Sequence, residues 1–309
     1  MEKIKAVVTG GAGFIGSHLV EALLVRGYRV TVVDDLSTGN RANIAHVLDQ
    51  IDFIEGSILD ESVLAQSFAG ATYVFHQAAV PSVPKSLNDP LTSHEANATG
   101  TLKVLLAARD AKVSRVIYAA SSSYYGDTPT LPKHEEMPPN PLSPYATQKY
   151  MGEAYMQQFH TFYGLETVCL RYFNIFGPRQ DPDSEYSAVI PRFIKLMKGG
   201  EVPTINGDGS GSRGFTYVSD CVAANILAAE APGVAGEVFN VSGGTRTTLN
   251  ELVTAINTLL GTSVVPNYGS PRPGDILHSH ADISKAQKAL GYTPEVSLEE
   301  GLKRTAASL

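Results

Sequence analysis

The sequence predicts an α/β protein in which a doubly wound parallel sheet is followed by a smaller C-terminal domain of mixed structure. From residue 4 onward, short runs rich in β-branched residues alternate with amphipathic stretches of helical length. A glycine-rich segment joins the first such run to the first amphipathic stretch. After Asn174 the pattern changes to glycine- and proline-rich loops. The 309 residues suffice for one large or two modest domains with hydrophobic cores.

Each element of the first part follows from its local pattern. Short runs of β-branched and aromatic residues predict strands at residues 4–9, 29–34, 52–55, 73–78, 115–120 and 167–172. Apolar residues at helical spacing predict helices at residues 13–26, 63–68, 92–111 and 144–163.

The second part gives weaker signals. Residues 175–214 are loop-rich, and residues 237–241 read as a further strand that returns to the first sheet. Two later helices begin with capping boxes, formed by Thr248 with Glu251 and by Ser297 with Glu300. We therefore predict a first domain over residues 1–174 and a second over residues 175–309, with the chain returning to the first around residues 215–242.

Composition narrows the functional classes. The net charge of −7 argues against a polyanion-binding surface, so we expect no nucleic-acid partner. No run of about 18 apolar residues occurs, and the chain starts with a strand pattern rather than a signal-peptide layout, so we expect no membrane partner. Cys169 and Cys221 are isolated, which favours a reducing, cytoplasmic location and no metal site.

The glycine-rich segment predicts a dinucleotide site of the Rossmann type. Gly10, Gly13 and Gly16 follow the first strand and open the first helix, where glycines let the backbone approach a diphosphate at the helix N-terminus. Asp34 ends the second strand, where a carboxylate bonds the ribose hydroxyls and repels a 2′-phosphate. With Asp35 beside it, this residue favours NAD over NADP.

Tyr145 and Lys149 lie one helical turn apart in the predicted helix 144–163, so their side chains share one face. A free tyrosine titrates near pH ~10, and a nearby cation lowers its pKa by favouring the phenolate. The pair therefore predicts an acid/base device for a hydroxyl or carbonyl group. A solvated helix face of the same spacing is the alternative that these two residues alone leave open.

The chain carries eight short segments in a characteristic order: residues 9–16 (TGGAGFIG), 34–37 (DDLS), 76–79 (HQAA), 97–101 (NATGT), 121–126 (SSSYYG), 145–149 (YATQK), 170–174 (LRYFN) and 272–275 (RPGD). In these segments it resembles the extended short-chain dehydrogenase/reductase family, and within it the UDP-glucose and UDP-N-acetylglucosamine 4-epimerases. The resemblance covers essentially the whole chain. It implies that the first domain binds NAD and that the second binds a nucleotide-sugar.

The resemblance implies a catalytic role for three residues. Tyr145 would be the base and acid, Lys149 would bind the nicotinamide ribose and lower the pKa of Tyr145, and Ser121 would be the partner hydroxyl. Ser122 and Ser123 lie close enough to share or replace that hydroxyl. The implied NAD site comprises Gly10, Gly13, Phe14, Ile15, Gly16, Asp34, Ser37, Thr38, Gly39, Ser57, Ile58, Gln77, Ala78, Ala79, Asn97, Tyr145, Lys149 and Tyr172.

The implied substrate is a UDP-sugar. Asn174 would hold a phosphate, Arg213 and Arg272 would clamp the diphosphate, and Asp275 would bond the nucleoside ribose. The remaining implied contacts, to uracil and to the sugar, are Ser82, Ser121, Ser122, Ser123, Tyr145, Ala188, Val189, Arg192, Phe193, Thr204, Asn206 and Ser279.

The implied reaction inverts carbon 4 of the sugar through a transient 4-keto form, with NAD retained. A 4,6-dehydratase and a UDP-glucuronate decarboxylase are alternatives within the family, but both carry carboxylates where this chain has Ser122 and Ser123. A 2-epimerase or a reductase is a further alternative. A non-catalytic NAD-binding regulator is the alternative of another class, and the intact Tyr145 and Lys149 argue against it.

Ser279 bears on the identity of the sugar. In the family, a tyrosine at this position goes with bare-hydroxyl sugars, whereas serine or cysteine leaves room for an N-acetyl group. The resemblance therefore favours exchange of UDP-N-acetylglucosamine with UDP-N-acetylgalactosamine, with UDP-glucose and UDP-galactose as the close second.

Helices 92–111 and 144–163 carry more apolar residues than one buried face requires, and family members pair two subunits through these helices. We expect a homodimer, with packing against the sheet as the alternative, and charged replacements at Tyr155 and Phe159 should dissociate it. The residues concerned are Leu102, Leu105, Leu106, Met151, Tyr155, Met156 and Phe159.

Overall fold

A computed structural model describes residues 3–182, 189–270 and 276–309. Its strands are β1 (Lys5–Thr9), β2 (Arg29–Asp34), β3 (Ile51–Glu55), β4 (Tyr73–His76), β5 (Arg115–Ser121), β6 (Glu166–Tyr172), β7 (Ile175–Phe176), β8 (Thr204–Asn206), β9 (Ser212–Arg213), β10 (Thr216–Tyr217), β11 (Val238–Val241), β12 (Thr247–Thr248), β13 (Asn267–Gly269) and β14 (His278–Ser279). Its α-helices are α1 (Phe14–Val25), α2 (Glu61–Phe68), α3 (Val83–Asn88), α4 (Pro90–His94), α5 (Gly100–Asp110), α6 (Pro144–Tyr163), α7 (Val189–Lys198), α8 (Val218–Glu230), α9 (Leu249–Leu260), α10 (Ser284–Leu290) and α11 (Leu298–Ser308).

Seven parallel strands form the central sheet, in the order β3-β2-β1-β4-β5-β6-β11. Helices α1 and α8 pack in the core on one face, and α2, α5 and α6 pack in the core on the other. This arrangement confirms the predicted Rossmann-type α/β fold. Because the strand order reverses between β1 and β4, a crevice for ligands is expected at the carboxyl ends of these strands. In the described ranges, none of the helices combines the length and apolar character that a bilayer span requires.

The strands predicted in the first part are confirmed, and α6 begins and ends at the predicted residues. β4 ends at His76, two residues earlier than predicted, where the chain turns into the loop that contacts Gly10. The strand predicted at residues 237–241 is also confirmed. It is β11, which pairs in parallel with β6. The chain thus returns to the central sheet after β7–β10.

The helix predicted at residues 92–111 is divided into α4, a π-helical turn at Glu95–Thr99, and α5. Asn97 lies in the π-helical turn, where its Oδ1 accepts a hydrogen bond from Val80 N at 2.8 Å and its Nδ2 donates to Val80 O at 3.2 Å. The widened turn therefore fixes the loop that follows β4. Single π-helical turns of this kind often occur at functional sites.

The loop-rich interpretation of residues 175–214 is incomplete, because α7 lies within it. Ile190, Phe193, Ile194 and Met197 are buried and pack in one cluster with α9 and α11. Their spacing is that of a single apolar helix face. That pattern was available in the sequence, although the surrounding glycines and prolines obscured it.

The two predicted capping boxes differ in outcome. The box at Thr248 is complete, since its hydroxyl accepts from Glu251 N and the Glu251 carboxylate accepts from Thr248 N. At the start of α11, Ser297 accepts from Glu300 N, but the Glu300 carboxylate accepts from Arg304 Nε at 2.7 Å instead. In the second box, the ion pair with Arg304 therefore takes the place of the expected hydrogen bond from Ser297 N to the Glu300 carboxylate.

Part of the predicted dimer surface belongs to the protein's own core. Leu105 and Met156 are fully buried, and Phe159 is 4% exposed, all in the cluster shared with α2 and the sheet. The assignment of these three residues to an interface is therefore wrong, since their spacing reflects packing against the sheet. Leu102 and Tyr155 are only partly buried against that cluster and still offer surface to a partner.

Candidate active site

The glycine turn lies between β1 and α1, pressed against the end of β4. Gly10 has φ +70°, and a Cβ there would lie 2.6 Å from Ala78 N. A Cβ on Gly16 would lie 2.1 Å from Gly10 O. Side chains are thus excluded at both positions, and the backbone of the turn can meet a ligand directly.

The N-terminus of α1 is suited to an anion. Its N-cap residue is Gly13, and no described side chain caps it. The first backbone N–H groups of a helix lack intrahelical partners and carry the positive end of the helix dipole. Phe14 and Ile15, in the first turn, are partly buried against the apolar cluster of α7, α9 and α11. A diphosphate fits this position because it would supply the missing acceptors.

Asp34 ends β2 beside the glycine turn and is 8% exposed. Its two oxygens accept hydrogen bonds from Ala12 N at 2.8 Å and Leu36 N at 2.9 Å. Burial raises the pKa of Asp34, and these two bonds oppose that effect. Each oxygen keeps a further acceptor position. Gly39 lies alongside, where a Cβ would come within 2.8 Å of Asp34 Oδ1.

The neighbouring residues predicted to contact the adenosine half lie on two loops. Ser37 donates from its N and Oγ to Asp35 Oδ1 and is exposed, as is Thr38. Ser57 follows β3, and its Oγ accepts from Leu59 N at 3.2 Å. Ile58 is buried.

A buried polar cluster connects β4, β6 and α8. Gln77 Nε2 donates to Asn225 Oδ1 at 3.0 Å, and Asn225 Nδ2 donates to the Tyr172 hydroxyl at 2.7 Å. Asn225 is fully buried, and the sequence analysis missed it because a lone asparagine inside an apolar helix carries no motif. The cluster orients Gln77 and Tyr172, two of the residues implied in the NAD site.

A second cluster that the sequence analysis missed surrounds His76. Its ring nitrogens are hydrogen-bonded to Thr9 Oγ1 at 2.8 Å and Thr101 Oγ1 at 3.0 Å. Burial, and secondarily the charge of Lys149, lowers the pKa of His76 to about 3. The ring is therefore neutral near pH 7 and links β1, β4 and α5 behind the glycine turn.

Tyr145 lies in the first turn of α6, which begins after the N-cap Ser143. It keeps some exposed surface, but desolvation raises the pKa of its phenol, and a hydrogen bond with Ser121 partly offsets that rise. Ser121 ends β5, and its Oγ accepts from Ser123 Oγ at 2.8 Å. The structure thus brings Tyr145 and Ser121 together, with Ser123 behind Ser121 and Ser122 in the same 3₁₀ turn.

Lys149 is 4% exposed, and its Nζ lies 4.5 Å from the centroid of the Tyr118 ring. Burial lowers its pKa to about 7. The expected lowering of the Tyr145 pKa by Lys149 is not found, because desolvation dominates at both residues and favours the neutral form of each. The two groups share one helix face as predicted.

On the substrate side, a cleft of about 1080 Å³ lies between α7, β8 and β9. Arg213 lines it, while its Nη1 donates to Ser212 O at 3.0 Å and Leu277 O at 2.9 Å. Asp208 and Tyr268 also line it and were not predicted. Ala188, Arg272 and Asp275 lie outside the described residues. The predicted residues found in the lining are Val189, Arg192, Phe193, Thr204, Asn206 and Arg213.

Three of the residues implied in sugar and phosphate binding lie outside the lining of this cleft. Asn174 follows β6 with φ +44°, and its Nδ2 donates to Gly214 O at 3.3 Å. Ser279 is 8% exposed, and its carbonyl accepts from Gly214 N at 2.6 Å. Gly214 thus joins the two. Ser82 is the N-cap of α3, and its Oγ accepts from Lys85 N.

The switch-point crevice, the uncapped glycine turn and the Tyr145–Ser121 pair define a class, the NAD-binding enzymes of the short-chain dehydrogenase/reductase type. The chain belongs to the NAD dependent epimerase/dehydratase family, whose sequence pattern matches residues 6–242. NAD is its cofactor.

The chain matches several relatives over nearly its whole length. The UDP-N-acetylglucosamine 4-epimerase from Methanobrevibacter ruminantium M1, solved in complex with UDP-N-acetylmuramic acid, has a TM-score of 0.95 and 41% identity over 100% of this chain and 98% of that chain. The UDP-glucose 4-epimerase of Thermotoga maritima, solved with UDP-glucose, has a TM-score of 0.94 and 40% identity over 99% and 98%. The UDP-glucose 4-epimerase of Mycolicibacterium smegmatis is 38% identical over 98% of this chain and 97% of that protein.

Other relatives have different named activities. At 33–35% identity the chain matches a UDP-glucuronate 4-epimerase from Thermodesulfobacterium geofontis, a UDP-N-acetyl-α-D-glucosaminuronate decarboxylase from Bacillus cytotoxicus and a dTDP-glucose 4,6-dehydratase from Streptomyces niveus. Membership of the family therefore does not fix the sugar.

Proposed function

We propose that this protein is a nucleotide-sugar 4-epimerase that inverts carbon 4 of UDP-hexoses. The observation that carries the proposal is the approach of the Ser121 hydroxyl to the Tyr145 phenol at the carboxyl edge of the sheet, with Lys149 one turn along α6. The glycine turn lies at the same edge. The epimerases among the solved relatives support the assignment.

In the proposed mechanism, Tyr145 accepts the proton of the sugar 4-hydroxyl and later returns it. Ser121, whose hydroxyl lies beside the Tyr145 phenol, holds the 4-oxygen in line with the phenol. NAD, held by the residues named in the next paragraph, would supply the hydride acceptor for carbon 4 and the hydride donor for its return to the opposite face. Because the sugar passes through a 4-keto form, Tyr145 must act first as base and then as acid.

We infer that three features hold NAD. The backbone of the glycine turn and the first turn of α1 bind the diphosphate, Asp34 accepts from the adenosine ribose, and Lys149 bonds the nicotinamide ribose. The wider set comprises Phe14, Ile15, Ser37, Thr38, Gly39, Ser57, Ile58, Gln77, Ala78, Ala79, Asn97 and Tyr172.

We assign nucleotide-sugar binding to a second domain over residues 175–309 and NAD binding to residues 1–174. The cleft lined by Arg213 is large enough for a nucleoside and combines a cation with apolar walls. Arg213 would meet the diphosphate, and Phe193 and Asn206 would meet the base.

For the sugar, we favour UDP-N-acetylglucosamine and UDP-N-acetylgalactosamine, with UDP-glucose and UDP-galactose second. Ser279 supports this order because it is a small, buried residue paired beside Arg213 in the sheet of β9 and β14. A small residue leaves room for an N-acetyl group, whereas a bulky one would fill it.

The dehydratase and decarboxylase alternatives have less support. Both need a carboxyl group next to the catalytic hydroxyl, and Ser122 and Ser123 occupy the turn that follows Ser121. A non-catalytic regulator would not need a tyrosine placed next to a serine and a buried lysine.

The test is to incubate the protein separately with UDP-N-acetylglucosamine and with UDP-glucose, without added reductant, and to quantify both epimers of each. We expect inversion of at least one. Tyr145→Phe should lower kcat by about 10²- to 10⁴-fold, because a positioned proton-transfer group is lost. Tyr163→Phe, at the exposed end of the same helix, is the matched control. No inversion of either sugar by the unmodified protein would refute the proposal.

Ser279→Tyr tests the choice of sugar. We expect turnover of the acetylated pair to fall more than turnover of UDP-glucose, because the added ring fills the space for the N-acetyl group. Equal effects on both sugars would remove Ser279 as the selecting residue.

We also propose a homodimer through α5 and α6. The supporting observation is the apolar surface left outside the core, including Phe162 at 76% and Tyr163 at 55% exposure, beside the partly buried Leu102 and Tyr155. Tyr155→Glu should dissociate the protein in sedimentation experiments. A monomeric unmodified protein would contradict the proposal.

Finally, we infer a reducing location such as the cytoplasm. Cys169 and Cys221 are both free and buried, and Cys169 lies on β6 of the central sheet. Such placement suits cysteines that serve as small apolar residues.

A further inference from the structure

Arg171 is a buried cation that contacts α6 and the 3₁₀ turn after β5, two segments that border the acid/base site. It lies on β6 and is 2% exposed. Its Nε and Nη2 donate to the Glu153 carboxylate at 2.9 and 2.6 Å, and its Nη1 donates to the Tyr125 hydroxyl at 2.7 Å. Its guanidinium lies 3.4 Å from the centroid of the Tyr124 ring.

The partners of Arg171 belong to the two segments that must meet at the reacting centre. Glu153 lies on α6 two helical turns beyond Tyr145, on the same helix face. Tyr124 and Tyr125 belong to the 3₁₀ turn that directly follows Ser121. One side chain therefore connects the helix that carries the phenol with the turn that directly follows the catalytic hydroxyl.

The bonds of Arg171 to Glu153 and Tyr125 restrict the side-chain positions of all three residues. Glu153 is 3% exposed, and both of its oxygens accept from Arg171, which fixes the guanidinium plane. The Tyr125 hydroxyl, which accepts from Arg171, donates onward to Asn240 Oδ1 at 2.7 Å on β11. A fully paired buried network of this kind holds its members in one geometry.

We propose that Arg171 is a positioning residue that holds Ser121 within hydrogen-bonding reach of Tyr145. The inference rests on the proposed function of the Tyr145–Ser121 pair. Arg171 itself is too deeply buried to meet a ligand, so it acts through Glu153 and Tyr125.

The chain supplies a matched control at the other end of the same two strands. Arg115 begins β5 and Glu166 begins β6, and these residues form a pair at 2.6 Å with Arg115 7% exposed. Arg171 lies instead near the carboxyl ends of these strands, beside the site. Replacing either arginine removes a buried cation from a glutamate, but only Arg171 is bonded to α6 and to the turn that follows Ser121.

The kinetic experiment compares Arg171→Met with Arg115→Met in the full-length protein. We expect Arg171→Met to lower kcat by about 10- to 100-fold with little change in KM, because misplacing a reacting group costs rate rather than binding. Arg171→Lys should recover part of the loss. Arg115→Met should lower thermal stability and leave kcat largely intact. Equal losses of kcat in the two methionine variants would overturn the proposal, since the effect would then be general destabilisation.

A milder variant keeps the test valid if Arg171→Met does not fold. Tyr125→Phe removes only the oxygen that joins Arg171 to Asn240 and keeps the ring in the core. It should lower kcat in the same direction as Arg171→Lys. Unchanged kcat in both variants would overturn the proposal.

A spectroscopic readout separates this inference from the proposed reaction. In protein with ¹³C-labelled tyrosine rings, the Tyr145 signal can be identified by its loss in Tyr145→Phe and followed through a pH titration. The other titratable groups that face it are Lys149 on α6 and Tyr118 on β5. We expect the midpoint of Tyr145 to rise in Arg171→Lys, because the hydrogen bond from Ser121 lowers its pKa. An unchanged midpoint would refute the positioning role, even if the protein inverted no sugar at all.

Discussion

Replacing Lys149 by methionine isolates the energetic effect of one buried amine. Burial lowers the pKa of Lys149 from 10.5 to about 7, so between these values the unfolded chain holds a proton that the folded protein has released. Stability rises with pH wherever the unfolded state binds more protons. The unmodified protein should therefore gain stability, relative to Lys149→Met, as the pH rises from 7 towards 10.5.

The size of the effect follows from the two pKa values. A change from 10.5 to about 7 corresponds to about 5 kcal/mol between the charged and neutral forms. Integrated from pH 7 to pH 10, the gain of the unmodified protein over Lys149→Met is about 3 to 4 kcal/mol. Groups that do not interact with Lys149 cancel in this difference. Methionine has a similar length and no charge, so it leaves a small packing change that does not vary with pH.

The assay is urea unfolding of both proteins at pH 7, 8, 9 and 10, at matched NAD content, followed by circular dichroism. Lys149→Met should be the more stable protein at pH 7, with its advantage shrinking at each step. Lys303→Met, at an exposed position of α11, controls for the loss of a lysine as such. A difference between Lys149→Met and the unmodified protein that stays constant from pH 7 to pH 10 would refute the reasoning.

Two further predictions follow from packing. Gly16→Ala should abolish NAD binding measured by calorimetry, because its Cβ would lie 2.1 Å from Gly10 O. Gly199→Ala is the control: its Cβ would meet no atom closer than 3.4 Å, and this variant should bind NAD like the unmodified protein. Cys169 and Cys221 are buried, and burial raises the pKa of both thiols, so neither should react with a thiol reagent until urea unfolds the protein. If the folded protein reacted as fast as an exposed thiol does, the buried placement of the two cysteines would be contradicted.

The sequence predicted the elements whose signals are local. α6 was predicted to the residue because a proline follows its N-cap Ser143 and Gly164 ends it in the left-handed conformation. The strands of the central sheet were predicted from their β-branched runs. The glycine turn and Asp34 were predicted as a unit because their spacing is set by one strand, one turn and one helix.

What the sequence did not predict depends on contacts between distant segments. Asn225 and His76 become important only because folding brings them against Tyr172 and Thr9, respectively. The expected lowering of the Tyr145 pKa by Lys149 failed for the same reason, because desolvation dominates at both residues. Helical spacing shows that a lysine shares a face with a tyrosine, but the depth at which the sheet buries that face decides the pKa of each.

The burial of Tyr145 and Lys149 affects how these two residues can ionise. Since burial raises the pKa of Tyr145 and lowers that of Lys149, each residue is disfavoured in its charged form when considered alone. Charging both at once costs less than the two separate costs, because opposite charges attract strongly at low dielectric. Ionisation of Tyr145 should therefore be coupled to protonation of Lys149, and the hydrogen bond from Ser121 adds to the stability of the phenolate. On this reasoning the serine, the tyrosine and the lysine act as one unit, and removal of any two should cost little more than removal of one.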